Sequence, residues 1–170
     1  MARHDPRPPS LLAQPSYLAS QVAKYGRRRL EAVLAEHGLA LVDNAILSSL
    51  DDFGSRSQQQ LADALDFNKS HLVAHIDDLQ SRGLITRAQD PTDRRRNNIT
   101  LTPAGQALID HLKPIAHASH QGLLDTLTAA EQQTLISLLG RVLAANDAAR
   151  LNAAPQRARD QPGEPQRDRR

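Results

Sequence analysis

The 170-residue chain contains no cysteine, which excludes disulfides, thiolate metal sites and cysteine redox switching. Hydrophobic residues make up 39% but aromatics only 2%, so one domain with tails can bury an ordinary core of Leu, Ala, Val and Ile, a composition that favours helices. The formal net charge of +2 points to no partner by itself, yet the basic residues cluster locally in Arg27-Arg28-Arg29, Arg94-Arg95-Arg96 and a C-terminal series. No apolar run approaches the roughly 20 residues of a membrane span and no signal-peptide pattern opens the chain, so a cytoplasmic protein without a membrane partner is expected.

In chain order, residues 1–15 are rich in Pro, Arg and Ser, have no apolar period, and read as a flexible arm. A first helix is predicted over 16–38, with Leu18, Val22, Tyr25, Arg29, Ala32 and Val33 on or near one face and Gly38 as its stop. A second is predicted from Leu39 to Asp51, with Leu41, Ile46, Leu47 and Leu50 mostly inward. Phe53-Gly54-Ser55-Arg56 reads as a turn.

Ser57 and Gln60 then have the S-x-x-Q spacing of a capping box, followed by Leu61, Ala62 and Leu65 on one face of a short helix. Asp66 suits a left-handed corner, Phe67 can plug the angle between two helices, and Asn68 is a good N-cap. The next helix, roughly Lys69 to Arg82, is read as burying Leu72, Val73, Ile76 and Leu79 and turning Lys69, Ser70, His71, Ala74, His75 and Asp78 outward. Its cationic and hydrogen-bonding groups crowd into the first two turns, where helix N–H groups and dipole favour an anion. Gly83 is the expected stop. Leu84 to Arg87 and Asn97 to Leu101 read as strands flanking a turn-rich loop, Asp90 to Arg96, with three adjacent arginines. Thr102 and Pro103 are set up as N-cap and first residue of another helix.

These residues resemble the winged helix-turn-helix core of the MarR family of bacterial transcriptional regulators. The family's wing motif, D-x-R then an apolar residue and L-T-x-x-G, is met by Asp93, Arg95, Ile99, Leu101, Thr102 and Gly105, after Arg82-Gly83-Leu84-Ile85. The resembling stretch covers under a third of the chain. The family often has glycine where this chain has Asp66.

Beyond Gly105, Leu108, Ile109, Leu112, Ile115 and Ala116 lead through Pro114, expected to kink or interrupt the helix, to Leu123, Leu124 and Leu127. Thr128 and Glu131 repeat the capping-box spacing before a helix with Leu135, Ile136, Leu138, Leu139, Val142 and Leu143, predicted to end near Asn146. That apolar surface exceeds what one small domain covers, and the family pairs two copies through such terminal helices. From about Ala148 the composition reads as a disordered tail whose arginines outnumber its acidic residues.

Motifs for catalysis are lacking: no Gly-rich phosphate loop, no H-E-x-x-H, no nucleophile elbow. His71 and His75 lie one turn apart without an evident third ligand, and His37, His111, His117 and His120 are loosely spaced, so neither a metal nor another cofactor is expected.

The expected fold is therefore mainly α (α+β): a winged helix-turn-helix DNA-binding domain over 39–102 with a helical dimerisation domain from 16–38 and 103–147, flanked by the arm 1–15 and the tail 148–170. The expected function is a non-enzymatic, sequence-specific transcriptional regulator, a ligand-responsive repressor binding a pseudo-palindromic operator in double-stranded DNA as a homodimer. The alternative is a sequence-independent architectural DNA-binding protein. Lys69, Ser70, His71, Ala74 and His75 would meet the major groove and Gln58 and Gln59 the backbone. Arg94, Arg95 and Arg96 would approach the minor groove or its phosphates, Arg95 deepest by the motif match, with Asp93 orienting one of them. The resemblance also implies a small aromatic or anionic effector, for which Tyr17, Tyr25, Arg29 and His37 are the candidate contacts.

Overall fold

The computed structural model describes residues 7–89 and 97–159. In chain order they form α1 (Pro9–Leu12), α2 (Pro15–Ala35), α3 (Leu41–Phe53), β1 (Arg56–Ser57), α4 (Gln58–Leu65), α5 (Lys69–Ser81), β2 (Ile85–Gln89), β3 (Asn97–Leu101), α6 (Pro103–Leu123) and α7 (Ala129–Arg159). The chain divides into two units, Met1–Leu123 and Leu124–Arg170.

The first unit is held by one aliphatic cluster. Leu34, Ile46, Leu47, Leu61, Leu72, Ile76, Leu79, Ile85, Ile99, Ile109 and Leu112 are each at most 2% exposed, and Phe67 only borders them. Composition required such a core, since almost no aromatic volume is available.

Several boundaries differ from expectation. The arm predicted to be structureless contains the single turn α1, started by Pro9 at a position where a missing N–H costs nothing. α3 begins at Leu41 rather than Leu39 because Asp43 Oδ2 accepts the Ala40 amide at 2.7 Å, making Ala40 the cap and leaving Leu39 buried outside the helix. α3 ends at Gly54, whose φ of 73° a side chain would resist. The predicted kink or interruption at Pro114 is absent as a break, since α6 is assigned as one helix through it. Pro114 is exposed, so the carbonyl deprived of its i+4 donor can turn to water.

The sheet is antiparallel in the order β1-β3-β2. Its third member, β1, was expected to be part of a turn. With only two residues it cannot show strand alternation, and its partners Ile99 and Asn98 lie far along the sequence. Ser57 pairs with Asn98 in this sheet and also caps α4: its Oγ accepts the Gln60 amide at 3.2 Å while Gln60 Oε1 accepts the Ser57 amide at 2.8 Å. Ser57→Ala is expected to destabilise the domain by about 1 kcal/mol, the usual worth of such a cap, read as a shift of the urea midpoint at constant slope.

An ion-pair network joins α3 to α6. Lys113 Nζ lies 2.6 Å from Asp51 Oδ2 and Gln106 Nε2 donates to Asp51 Oδ1 at 2.7 Å. Lys113 and then Gln106 hold the Asp51 carboxyl below its ordinary value, and Asp51 in turn raises the Lys113 ammonium.

In the second unit the Thr128 and Glu131 box forms as predicted, and its hydrogen bonds hold the Glu131 carboxyl below the usual range. α7 overruns its predicted end near Asn146 and continues through residues assigned to a disordered tail. Ala144, Ala145, Ala148 and Ala149 explain this: they lack apolar periodicity but carry the highest helix propensity. Ile136, Leu138, Leu139, Val142 and Leu143 are 49–63% exposed.

Candidate nucleic-acid interface

Two helices and the corner between them create the surface. At the corner Asp66 takes a left-handed conformation, φ 54° and ψ 39°, and its amide and that of Phe67 both donate to Ala62 O. Asn68 Oδ1 then accepts from the Ser70 amide at 3.2 Å and starts α5. Gln58 Nε2 donates to Lys69 O at 3.1 Å across the angle, and Gln59 is turned to Asp63 Oδ1 at 2.8 Å. Both glutamines are thus occupied locally, Gln58 as a brace between helices.

On α5, Leu72, Ile76 and Leu79 face the core. At 100° per residue the opposite side carries Ser70, Ala74, Asp77 and Ser81, with His71 and Val73 at its margins. Lys69, Ser70, His71 and Ala74 are exposed, as expected. Val73 is not on the buried face to which its apolar character assigned it. It is 41% exposed, because one step from Leu72 carries it a full 100° away from the core.

His75 departs furthest from the sequence reading. It is half-buried on the side of α5 that meets α3, and its Nδ1 lies 2.7 Å from Asp43 Oδ1. The His71 ring stands between those of Phe67 and His75, with centroids 5.8 and 5.6 Å away. Farther along α5, Arg82 donates to Gly38 O at 2.8 Å and His37 O at 3.1 Å, fastening the helix end to the α2–α3 corner. Asp77 and Asp78 point apart and each takes its own arginine: Arg87 at 2.5 Å and Arg82 at 3.4 Å. Sequence reasoning missed the long-range partners of Arg82, Arg87 and Asp43, each of which also reaches another part of the fold.

The stem beside this helix is defined by its register, from Ile85 opposite Leu101 to Gln89 opposite Asn97. Asp93, Arg94, Arg95 and Arg96 lie between the two strands in sequence and outside the described residues. Later in the sequence, the L-T-x-x-G residues have separate tasks. Leu101 packs against the core, and Thr102 Oγ1 donates to Gly83 O at 2.6 Å while accepting the Gly105 amide at 3.1 Å. Gly105 leaves room for the Leu84 carbonyl, which would stand 2.0 Å from any Cβ placed there.

The four candidate effector contacts are not gathered into one place within a subunit. Tyr17 and the end of α2 are separated by about 27 Å of helix, and His37 lies beyond that end with its ring 5.4 Å from His111. Tyr25 accepts a hydrogen bond from Arg7 Nη2 at 3.0 Å, and Arg29 is exposed. Among the described residues no three His, Cys, Asp or Glu side chains gather as a metal would require.

The MarR family model matches residues 41–96, the segment from α3 to the end of the arginine run. A Thauera aromatica protein assigned as the transcriptional regulatory protein for the hcr operon is 37% identical over 86 residues, 51% of this chain and 52% of that protein, so the match spans about half of the curated relative's length. A Pseudomonas aeruginosa structure assigned as a transcriptional regulator is 31% identical, covering 78% of this chain and 98% of the other at a TM-score of 0.69. A mutant form of MarR from E. coli, solved in complex with operator DNA, is 26% identical, with 78% and 95% covered and a TM-score of 0.69. A left-handed corner between α4 and α5, a three-stranded antiparallel sheet, the family model's match and agreement over nearly the full length of solved regulators lead to one conclusion: the chain belongs to the MarR family.

Proposed function

We propose that this protein is a sequence-specific transcriptional regulator that binds a pseudo-palindromic operator as a homodimer and acts as a ligand-responsive repressor in the cytoplasm. The observation that carries the reading is the exposed N-terminal half of α5, with Lys69, Ser70, His71 and Ala74 presented to solvent; in sequence, three consecutive arginines lie between the paired strands β2 and β3. An α-helix fits the major groove and arginines suit the electronegative minor groove. Gln58 and Gln59 then lie at the backbone, and Asp93 holds one of Arg94, Arg95 and Arg96 extended. The operator complex of the E. coli relative supports the same partner.

Dimerisation is supported by the exposed apolar residues of α7, and separately by Leu18, Val22 and Tyr25 of α2, 41–46% exposed. In this reading 39–102 binds DNA, 16–38 and 103–147 make the dimer, and 1–15 and 148–170 are accessory segments. No helix among the described residues is long and apolar enough to cross a membrane. The protein carries out no catalysis; its output is occupancy of DNA. A small aromatic or anionic effector shifts that occupancy only through unequal affinity for two dimer geometries. Tyr17, Tyr25, Arg29 and His37 are the candidate contacts, not all of which one subunit can bring to a single small molecule; a panel of phenolic acids is expected to shift both melting temperature and operator affinity.

The test is a gel shift at fixed salt on DNA upstream of the protein's own gene, with random DNA as competitor. Arg95→Ala is expected to weaken operator binding by about 1 to 3 kcal/mol, the range for a specific arginine contact. Unchanged affinity removes the wing from the reading. Equal competition by random DNA replaces the regulator with a sequence-independent architectural binder.

A further inference from the structure

We propose that His75 is a positioning residue, not a base reader: with Asp43 it pins the middle of α5 to the first turn of α3 and so sets how the DNA-binding helix is presented. This rests on the regulator reading above. The geometry is specific. His75 Nδ1 and Asp43 Oδ1 are 2.7 Å apart, within the range of a charge-assisted hydrogen bond. The Asp43 side chain is only 7% exposed, and its second oxygen is committed to the Ala40 amide, one of the α3 N–H groups with no helical partner of its own.

That carboxylate therefore cannot swing to water without orphaning the helix end. It requires a donor from the α5 side, and the Nδ1–H of His75 is the one within reach. The His75 side chain is 26% exposed, against the open setting of Ser70 and Ala74 on the outward face. One helical stripe carries His71, His75, Asp78 and Arg82, and two of its members reach the same neighbour. His75 reaches the start of α3, and Arg82 reaches the carbonyls of His37 and Gly38 just before it. α5 is thus clasped at two heights to one short stretch of chain, residues 37–43. The functional consequence is that the angle of α5 follows this stretch.

The test combines operator affinity at fixed salt for the full-length protein, His75→Ala, His75→Asn, Asp43→Ala and the double alanine variant with a scan of single base-pair changes in the operator. An asparagine amide places its nitrogen where the imidazole Nδ1 stood, so it restores the donor but not the ring. His75→Ala is expected to lose about tenfold in affinity with the ranking of bases unchanged, His75→Asn to recover most of that loss, and the double variant to bind no worse than the weaker single one, the signature of two groups acting as one. In the free protein, nitrogen-resolved NMR of the imidazole is expected to show the proton held on Nδ1. The proposal is overturned if the two single losses multiply, if asparagine fares no better than alanine, or if the preference relaxes at one operator position. Thermal melting of each variant separates lost seating from lost fold: an unfolded His75→Ala leaves the asparagine variant and the NMR readout to decide. A wild-type protein that cannot tell operator from random DNA brings down the regulator reading itself, before any substitution is compared.

Discussion

Gly105→Ala is expected to destabilise the protein by about 3 kcal/mol or more, at the upper end of what overpacking costs, and to lower the melting temperature by roughly 6 to 12 °C. The cause is space, not backbone torsion. Gly105 is absent from the positive-φ glycines, but a Cβ built on it would fall 2.0 Å from Leu84 O and 3.0 Å from Leu84 C. Neither is the end of a flexible side chain. Leu84 O also accepts the Thr102 amide at 3.0 Å, and Thr102 Oγ1 holds Gly83 O at 2.6 Å, so the clash strikes the joint where β3, α6 and the end of α5 meet. Calorimetry of the purified variant provides the test, and an unchanged melting temperature would mean that this joint opens freely. Serine and valine at this position are expected to be worse, in order of size.

Leu72→Ala is the second large effect, expected at about 2 to 5 kcal/mol, the range for truncating a fully buried leucine. Leu72 is 0% exposed in the first turns of α5 and meets the aliphatic cluster that α3, α4 and α6 share. With so few aromatics to move into the gap, the cavity persists and the cost stays high. Ile76→Val, which removes one methylene from the same face, is expected at about 1 kcal/mol. Urea unfolding of the pair gives the comparison. Equal losses would show that the α5 seat is loosely packed.

Short-range chemistry accounts for what could be read from the chain. Both capping boxes, the left-handed Asp66, the Asn68 cap, the β3 limits and the Thr102-Pro103 start involve residues within a few positions of one another. Misses arose where distant partners decide. β1 exists only because β3 receives it, and His75, expected on the outward face, is half-buried beside α3, where Asp43, 32 residues earlier, offers a carboxylate. Val73 was misjudged by residue type: apolar character placed it inward, although Leu72, Ile76 and Leu79 already complete the buried stripe. The α7 overrun reverses that error, since alanines without a period extend a helix by propensity alone.

The middle place of β3 in the sheet decides where the chain can change length. Ile99 is 1% exposed and paired with Arg87 on one side and Arg56 on the other. An insertion of one residue within 97–101 would reverse its facing and part both ladders at once, whereas residues added or lost between Gln89 and Asn97 leave every pairing intact. Changes of length between Gln89 and Asn97 are therefore compatible with the sheet, while positions 97–101 are closed to insertion or deletion.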